Sequence, residues 1–284
     1  MSKPHEEQPQ LEVYEGGEGP PLVLLHGLGG SWHIWKPVIE RLKTRFHIIA
    51  PTLPGHPGGE PLKQPDAVTV STLLEQLTEQ LHARGIKSAH VAGNSLGGWL
   101  TLELARSGFA RTATGLSPAG AWGTQKDFKR LMRTLLIPYM LMPVFRCIAW
   151  LFGGLAKVRQ ALGATTMEHG ERLSRTDLLD ILRRFSHTRM MRKLFANAGR
   201  DGPIKDFDAG DIPVCIAWGS EDKIIPFDNY GTPLQARVTG AQWIRVEGVG
   251  HVPMYDDPDR IAEIIAANCA RAEAANTTLG VSAA

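Results

Sequence analysis

Residues 88–100, Ser-Ala-His-Val-Ala-Gly-Asn-Ser-Leu-Gly-Gly-Trp-Leu, constrain this chain more than any other stretch. A short apolar run passes through Gly93-Asn94-Ser95-Leu96-Gly97 straight into a helical pattern, with no loop between. A buried strand can turn into a helix this abruptly only under two conditions. The turn residue must accept a strained backbone, and the residues two before and two after it must be small enough for backbones to pass closely. A serine held there has its hydroxyl clear of the sheet. The unpaired N–H groups of the helix start then face any oxyanion developing beside it. The stretch predicts a strand–turn–helix inside a parallel sheet, with Ser95 as a candidate nucleophile.

The flanking sequence repeats this alternation. Residues 11–14 read as a short first strand and residues 22–25 as a strand buried on both faces, ending in His26-Gly-Leu-Gly-Gly-Ser31. A helix follows near Pro37, with Trp35, Val38, Ile39 and Leu42 on one face. Residues 46–50 form the next strand. The helix over 69–84 places Leu73, Leu77 and Leu81 at four-residue spacing before Gly85. Further strands are expected over 113–117, 212–218 and 242–246. A last helix begins near Asp257-Pro258, capped by Asp256 and Asp257, with Ile261, Ile264 and Ile265 inward. The alanine-rich tail after Arg271 reads as frayed. Strands alternating with helices in this way predict an α/β fold around a mostly parallel, doubly wound sheet.

Between residues 118 and 205 the alternation stops. The pattern there is helical and broken by Pro138, Pro143, Gly153-Gly154 and Gly163, which implies a helical cap inserted into a core made of 1–117 and 206–284. Leu178, Leu179, Leu182 and Phe185 mark one apolar face behind Ser174, a candidate N-cap. Met190, Met191, Leu194 and Phe195 mark another. Residues 135–155 are the most apolar in the chain, but Arg146 and two prolines interrupt them, so a lid fits better than a membrane span. From Trp122 to Lys205 there are 16 Lys and Arg against 6 Asp and Glu, a balance of +10 in a chain whose net charge is +2. This asymmetry suggests weak contact of the cap with a membrane surface, or simply a solvated basic face. No pattern points to nucleic acid. The polar N-terminal residues lack the apolar core of a secretory signal, so the expected location is the cytoplasm. The three cysteines, Cys147, Cys215 and Cys269, read as free buried thiols. No Cys/His spacing suggests a metal, and no cofactor is called for.

Three strand ends each supply one chemical part: Ser95 at the first, Glu221 and Asp222 after residue 218, and His251 after residue 246. In an open parallel sheet the loops at the carboxyl ends of strands gather along one edge, so these groups converge. A histidine would take the serine proton, and a carboxylate would fix its tautomer and stabilise the imidazolium. His26 rivals His251, and Glu221 rivals Asp222.

Four signatures, His26-Gly27-Leu28-Gly29-Gly30, Gly93-Asn94-Ser95-Leu96-Gly97-Gly98, Gly219-Ser-Glu-Asp222 and Gly250-His251-Val-Pro, occur in the order seen in the α/β-hydrolase superfamily. The chain resembles its serine-nucleophile branch with a helical cap after the strand following the elbow. The resemblance implies a Ser95–His251–Asp222 triad, selects Asp222 over Glu221, and gives His26 a role in organising its loop. It also implies an oxyanion hole made by the backbone N–H groups of Leu28 and Leu96. Thr52 departs from the aspartate common before Pro54-Gly55-His56. A serine at position 95 excludes the aspartate-nucleophile chemistry of the epoxide hydrolases and haloalkane dehalogenases of that superfamily. The resemblance therefore implies cleavage of a carboxylic ester bearing an apolar acyl or aromatic group, through an acyl-enzyme. The alternatives are hydrolysis of a carbon–carbon bond in a vinylogous diketone, cofactor-free perhydrolysis, and a non-enzymatic ligand receptor on the same fold. Against the first, Val252 stands where those enzymes usually carry Trp after the histidine.

Overall fold

Strand β2 (Pro21–Leu25) explains the layering, because alternate side chains of a strand point to opposite faces. Leu22 and Leu24 pack with Trp35, Val38, Ile39 and Leu42 of the following helix and with Ile261 and Ile265 near the C-terminus. Val23 and Leu25 pack on the other side with Leu73, Leu77, Leu81, Leu100 and Leu104. Leu22, Val23, Leu24 and Leu25 are all fully buried, as an apolar run sandwiched between helical layers must be. The computed structural model describes residues 11–281 except residue 211; the side chain of Phe195 lies outside the described residues.

The remaining strands are β1 (Val13–Gly16), β3 (His47–Pro51), β4 (Ala89–Asn94), β5 (Ala110–Leu116), β6 (Phe207–Asp208), β7 (Val214–Gly219), β8 (Val238–Thr239) and β9 (Gln242–Val246). Seven form one sheet in the order β1-β3-β2-β4-β5-β7-β9, parallel except for the edge strand β1, and β6 pairs with β8 apart from it. The chain adds β3 on one side of β2 and then crosses to add β4 on the other. The loops after β2 and β4 therefore diverge at the point where the strand order reverses, the crevice that open parallel sheets use for ligands. Helices α1 (Lys36–Leu42) and α10 (Pro258–Val281) cover one face. Helices α2 (Val70–Ala83), α3 (Leu96–Arg106) and α8 (Phe227–Arg237) cover the other, and the single turn α9 (Pro253–Asp256) precedes α10.

Four helices lie between β5 and β6: α4 (Gln125–Phe152), α5 (Ala156–Gly163), α6 (Arg175–His187) and α7 (Met190–Asp201). Ser174 caps α6 as expected, its Oγ accepting the Asp177 N–H at 3.0 Å. The prolines, expected to break this region, do not: α4 runs 28 residues through both Pro138 and Pro143. A capping box between Thr124 and Asp127 fixes its start, and Leu131, Met142 and Ala149 are buried along its inner side. Packing thus offsets the cost of about 3 kcal/mol for a proline inside a helix. Two further expectations are corrected. Cys147 is exposed, because it lies on the outer side of α4, whereas Cys215 and Cys269 are buried. The tail after Arg271 continues α10 as helix, in keeping with the high helix propensity of alanine.

Candidate active site

The turn from β4 into α3 is made by Ser95 at φ 56°, ψ −114°, a backbone that L residues adopt only under constraint. Two glycines make it feasible. A side chain at Gly97 would collide with the carbonyl oxygen of Leu25, and one at Gly93 with that of Gly97. The loop 116–119 braces the turn: the Ser95 N–H donates to Leu116 O at 3.0 Å, and the Ala119 N–H donates to Ser95 O at 2.9 Å. Ser117 in that loop also has positive φ, at 40°.

His251 stands after β9, buried, with Nδ1 2.8 Å from Asp222 Oδ2. The other carboxylate oxygen of Asp222 accepts the N–H groups of Ile224 at 3.0 Å and Ile225 at 2.9 Å, so the carboxylate is fixed from both sides. The Trp218 indole N–H, donating to Ile225 O at 3.0 Å, steadies the same loop. Glu221, the rival acid, is exposed and accepts only the neighbouring Ser220 hydroxyl at 3.1 Å among the described residues. Asp222 is the carboxylate brought to the histidine.

The glycine-rich loop after β2 packs against Ser95: a side chain at Gly27 would lie 3.2 Å from Ser95 Cβ. His26 holds this loop. Its Nε2 accepts the Leu53 N–H at 2.8 Å and its Nδ1 donates to Gly27 O at 2.8 Å, an arrangement that only a neutral ring can make. Burial, with neighbouring His56 and Arg184 adding, pushes the His26 pKa well below the ordinary histidine range. His56, edge-on to His26, is itself pushed down to about 4 by burial. His26 is thus a loop organiser, separate from the Asp222–His251 pair. The Leu53 N–H anchored by His26 also fixes the segment after Thr52, where the sequence departs from the common pattern.

Ser95 and His251 open onto a cavity of about 160 Å³, bounded also by Leu28 and Leu96. Its walls are otherwise almost wholly apolar: Trp99 from α3, Ile224, Ile225 and Val252 from loops at the sheet edge, Phe128, Leu131, Met132 and Leu135 from α4, and Phe185 from α6. Among the described residues no arginine or lysine lines it.

Sequence reasoning missed two supporting residues. The Asn94 side chain donates to His251 O at 2.8 Å and to Leu116 O at 3.1 Å, tying the elbow to the histidine loop. Asp256, expected to cap a helix, is 1% exposed and does something else. Its Oδ2 accepts the N–H groups of Gly250 at 2.8 Å and Glu168 at 3.0 Å, and its Oδ1 that of His169 at 2.7 Å. Arg172 donates to its carbonyl. Only Asp257 caps, accepting the Arg260 N–H at 2.9 Å. The available signal was a polar residue in an otherwise buried segment, which must find partners. Those partners lie 87 and 88 residues away, out of reach of local pattern. A second tie joins α6 to the core. The buried Arg184 guanidinium pairs with Glu12 at 2.7 Å and Asp180 at 2.6 Å, and donates to Pro57 O at 2.9 Å.

Residues 22–264 match the family described as the alpha/beta hydrolase family. A pimeloyl-[acyl-carrier protein] methyl ester esterase of Aeromonas hydrophila is 26% identical over 263 residues, 90% of this chain and 97% of its own length. An epoxide hydrolase of Mycobacterium tuberculosis is 26% identical over 202 residues, 69% of this chain and 92% of its own. Among solved structures, a thermophilic esterase from Thermogutta terrifontis superimposes with a TM-score of 0.65 at 16% identity, covering 92% of this chain and 93% of the other.

Proposed function

The chain belongs to the alpha/beta hydrolase family, and on that premise we propose that it hydrolyses carboxylic esters with an apolar acyl or aromatic group, through an acyl-enzyme on Ser95. In this reading His251 Nε2 takes the Ser95 hydroxyl proton as Oγ attacks the ester carbonyl carbon. Asp222 holds Nδ1–H and stabilises the imidazolium. The carbonyl oxygen, now an oxyanion, is met by the N–H groups of Leu28 and Leu96, each worth about 2.7–4 kcal/mol in the transition state. The intermediate collapses, the C–O bond breaks, and the alcohol leaves with the proton from His251. Water then repeats the sequence on the acyl-enzyme, releasing acid and free Ser95.

The single observation carrying this reading is the Asp222–His251 pair at 2.8 Å, with His251 opening beside Ser95 onto an apolar cavity. The same cavity weighs against carbon–carbon hydrolysis of a dienoate. A substrate carboxylate needs a cation, and no arginine or lysine among the described residues lines this cavity. Epoxide opening through an aspartyl ester, the chemistry of one relative's family, lacks its carboxylate at position 95. A cavity of this volume suits a group of about six carbons, since a dry cavity of about 150 Å³ holds benzene.

The test is a series of p-nitrophenyl esters of increasing acyl length, run beside a ring-cleavage dienoate, with fluorophosphonate labelling as a second readout. Turnover is expected to peak at short to medium acyl groups, and labelling to vanish in Ser95→Ala. Dienoate cleavage without turnover of any ester would overturn the reading, and absence of labelling would favour a receptor.

A further inference from the structure

Helix α4 has an outer face that nothing among the described residues covers. Among the described residues it is the one helix long and apolar enough to cross a membrane, yet its inner side is committed to the protein. Leu131, Met142 and Ala149 are buried, and half-buried Arg146 donates to Ser186 of α6 at 3.2 Å. A spanning role would strip these contacts away and leave Arg146 in hydrocarbon. A helix in the plane of an interface needs only its outer face.

That face is divided along its length. Lys126, Lys129, Arg130 and Arg133 are exposed on its first turns, and none of them is ion-paired among the described residues. At helical spacing the same face continues as Ile137, Met140, Leu141 and Val144, then Leu151, with Leu155 just beyond the helix; Met140 is 75% exposed. Trp150 beside this stripe is 64% exposed. Single exposed apolar residues are ordinary, but a contiguous stripe beside unpaired cations is not.

We propose that the outer face of α4 docks on an anionic lipid surface, with Ile137 to Leu155 entering the acyl boundary and the four cations meeting the headgroups. Charge complementarity selects this occupant. A second copy of the chain would set one cap with a balance of +10 against another, whereas an anionic leaflet attracts each of the four cations. The docking surface does not depend on the hydrolytic reading, although the inner side of the same helix lines the cavity beside Ser95.

The full chain is sedimented with vesicles of phosphatidylcholine alone and of phosphatidylcholine with phosphatidylglycerol. This is done at about 0.1 M and about 1 M salt, where the Debye length shrinks from about 10 Å to about 3 Å. Binding is expected only to the anionic vesicles and is expected to weaken at high salt. Replacing Lys126, Lys129, Arg130 and Arg133 together by Gln should weaken partitioning about a thousandfold. Ile137→Ser, Met140→Ser and Val144→Ser together should weaken it at least about tenfold. Cys147 is the exposed thiol of the three cysteines, so an environment-sensitive dye attached there should shift to the blue on binding. Both multiple variants should keep their melting temperature and their turnover of a water-soluble ester. Three results would overturn the proposal: no binding to either vesicle, equal and salt-insensitive binding to both, or a solution dimer abolished by the triple serine variant. Vesicle binding in a protein that turns over no ester would leave the docking surface standing and remove the hydrolytic reading instead.

Discussion

At the scale of single residues, Ser95 combines a strained backbone with a chemically exposed hydroxyl, and the two are linked. Positive φ at 56° lifts the side chain off the end of β4, and only Gly93 and Gly97 leave room for it. Ser95→Ala should therefore fold and melt like the parent while losing ester turnover by a factor on the order of 10⁴ or more. Asp222→Asn should lose about 10⁴ in kcat with little change in KM, because the amide no longer fixes the His251 tautomer. Steady-state kinetics on one soluble ester check both. A fall in KM affinity alone, with kcat intact, would assign Asp222 a merely structural place.

Between elements, Asp256 binds the histidine loop to the helical insertion. It accepts three backbone N–H groups, two of them from residues 168 and 169. Removing a buried, charged acceptor leaves those donors unpaired, so Asp256→Ala should destabilise the protein by about 3 kcal/mol. It should also lower kcat, since Gly250 adjoins His251. Asp257→Ala removes only a cap and should cost about 1 kcal/mol without touching turnover. Thermal melts and kcat for the pair separate the two roles; equal effects would refute the distinction. Arg184, with Glu12, Asp180 and Pro57, supplies a second tie between the insertion and the core.

For the molecule as a whole, the two buried histidines beside the glycine-rich loop, His26 and His56, lower stability in acid. Both are held neutral in the folded state by burial, His56 with a pKa of about 4, whereas in the unfolded chain each titrates near 6.5. The unfolded state thus binds more protons below that pH. The contribution of His56 is complete above about pH 6.5 and is lost as pH falls toward 4, and that of His26 changes in the same direction. His56 alone accounts for on the order of 3 kcal/mol across that window. Protonating His26 would also turn its Nε2 into a donor facing the Leu53 N–H. The melting temperature should therefore fall steeply between pH 6.5 and 4, and His56→Asn should flatten that limb. An unchanged acid limb in this variant would remove His56 from the account.

Much of this protein can be derived from local sequence. The apolar run of β2, the glycines around Ser95 and the Ser174 cap of α6 act over a few residues, so their consequences are written beside them. The order of strands and the gathering of Ser95, Asp222 and His251 at one sheet edge follow from the same alternation, because parallel strands must send their carboxyl ends the same way. Other features needed the assembled chain. That Asp256 serves as a tie and not a cap, that α4 passes through two prolines, and that no described cation of the cap lines the cavity all depend on partners distant in sequence. Sequence determines which groups a segment offers. Tertiary packing decides which of them are buried, which are paired, and which face, like the outer side of α4 among the described residues, is left open.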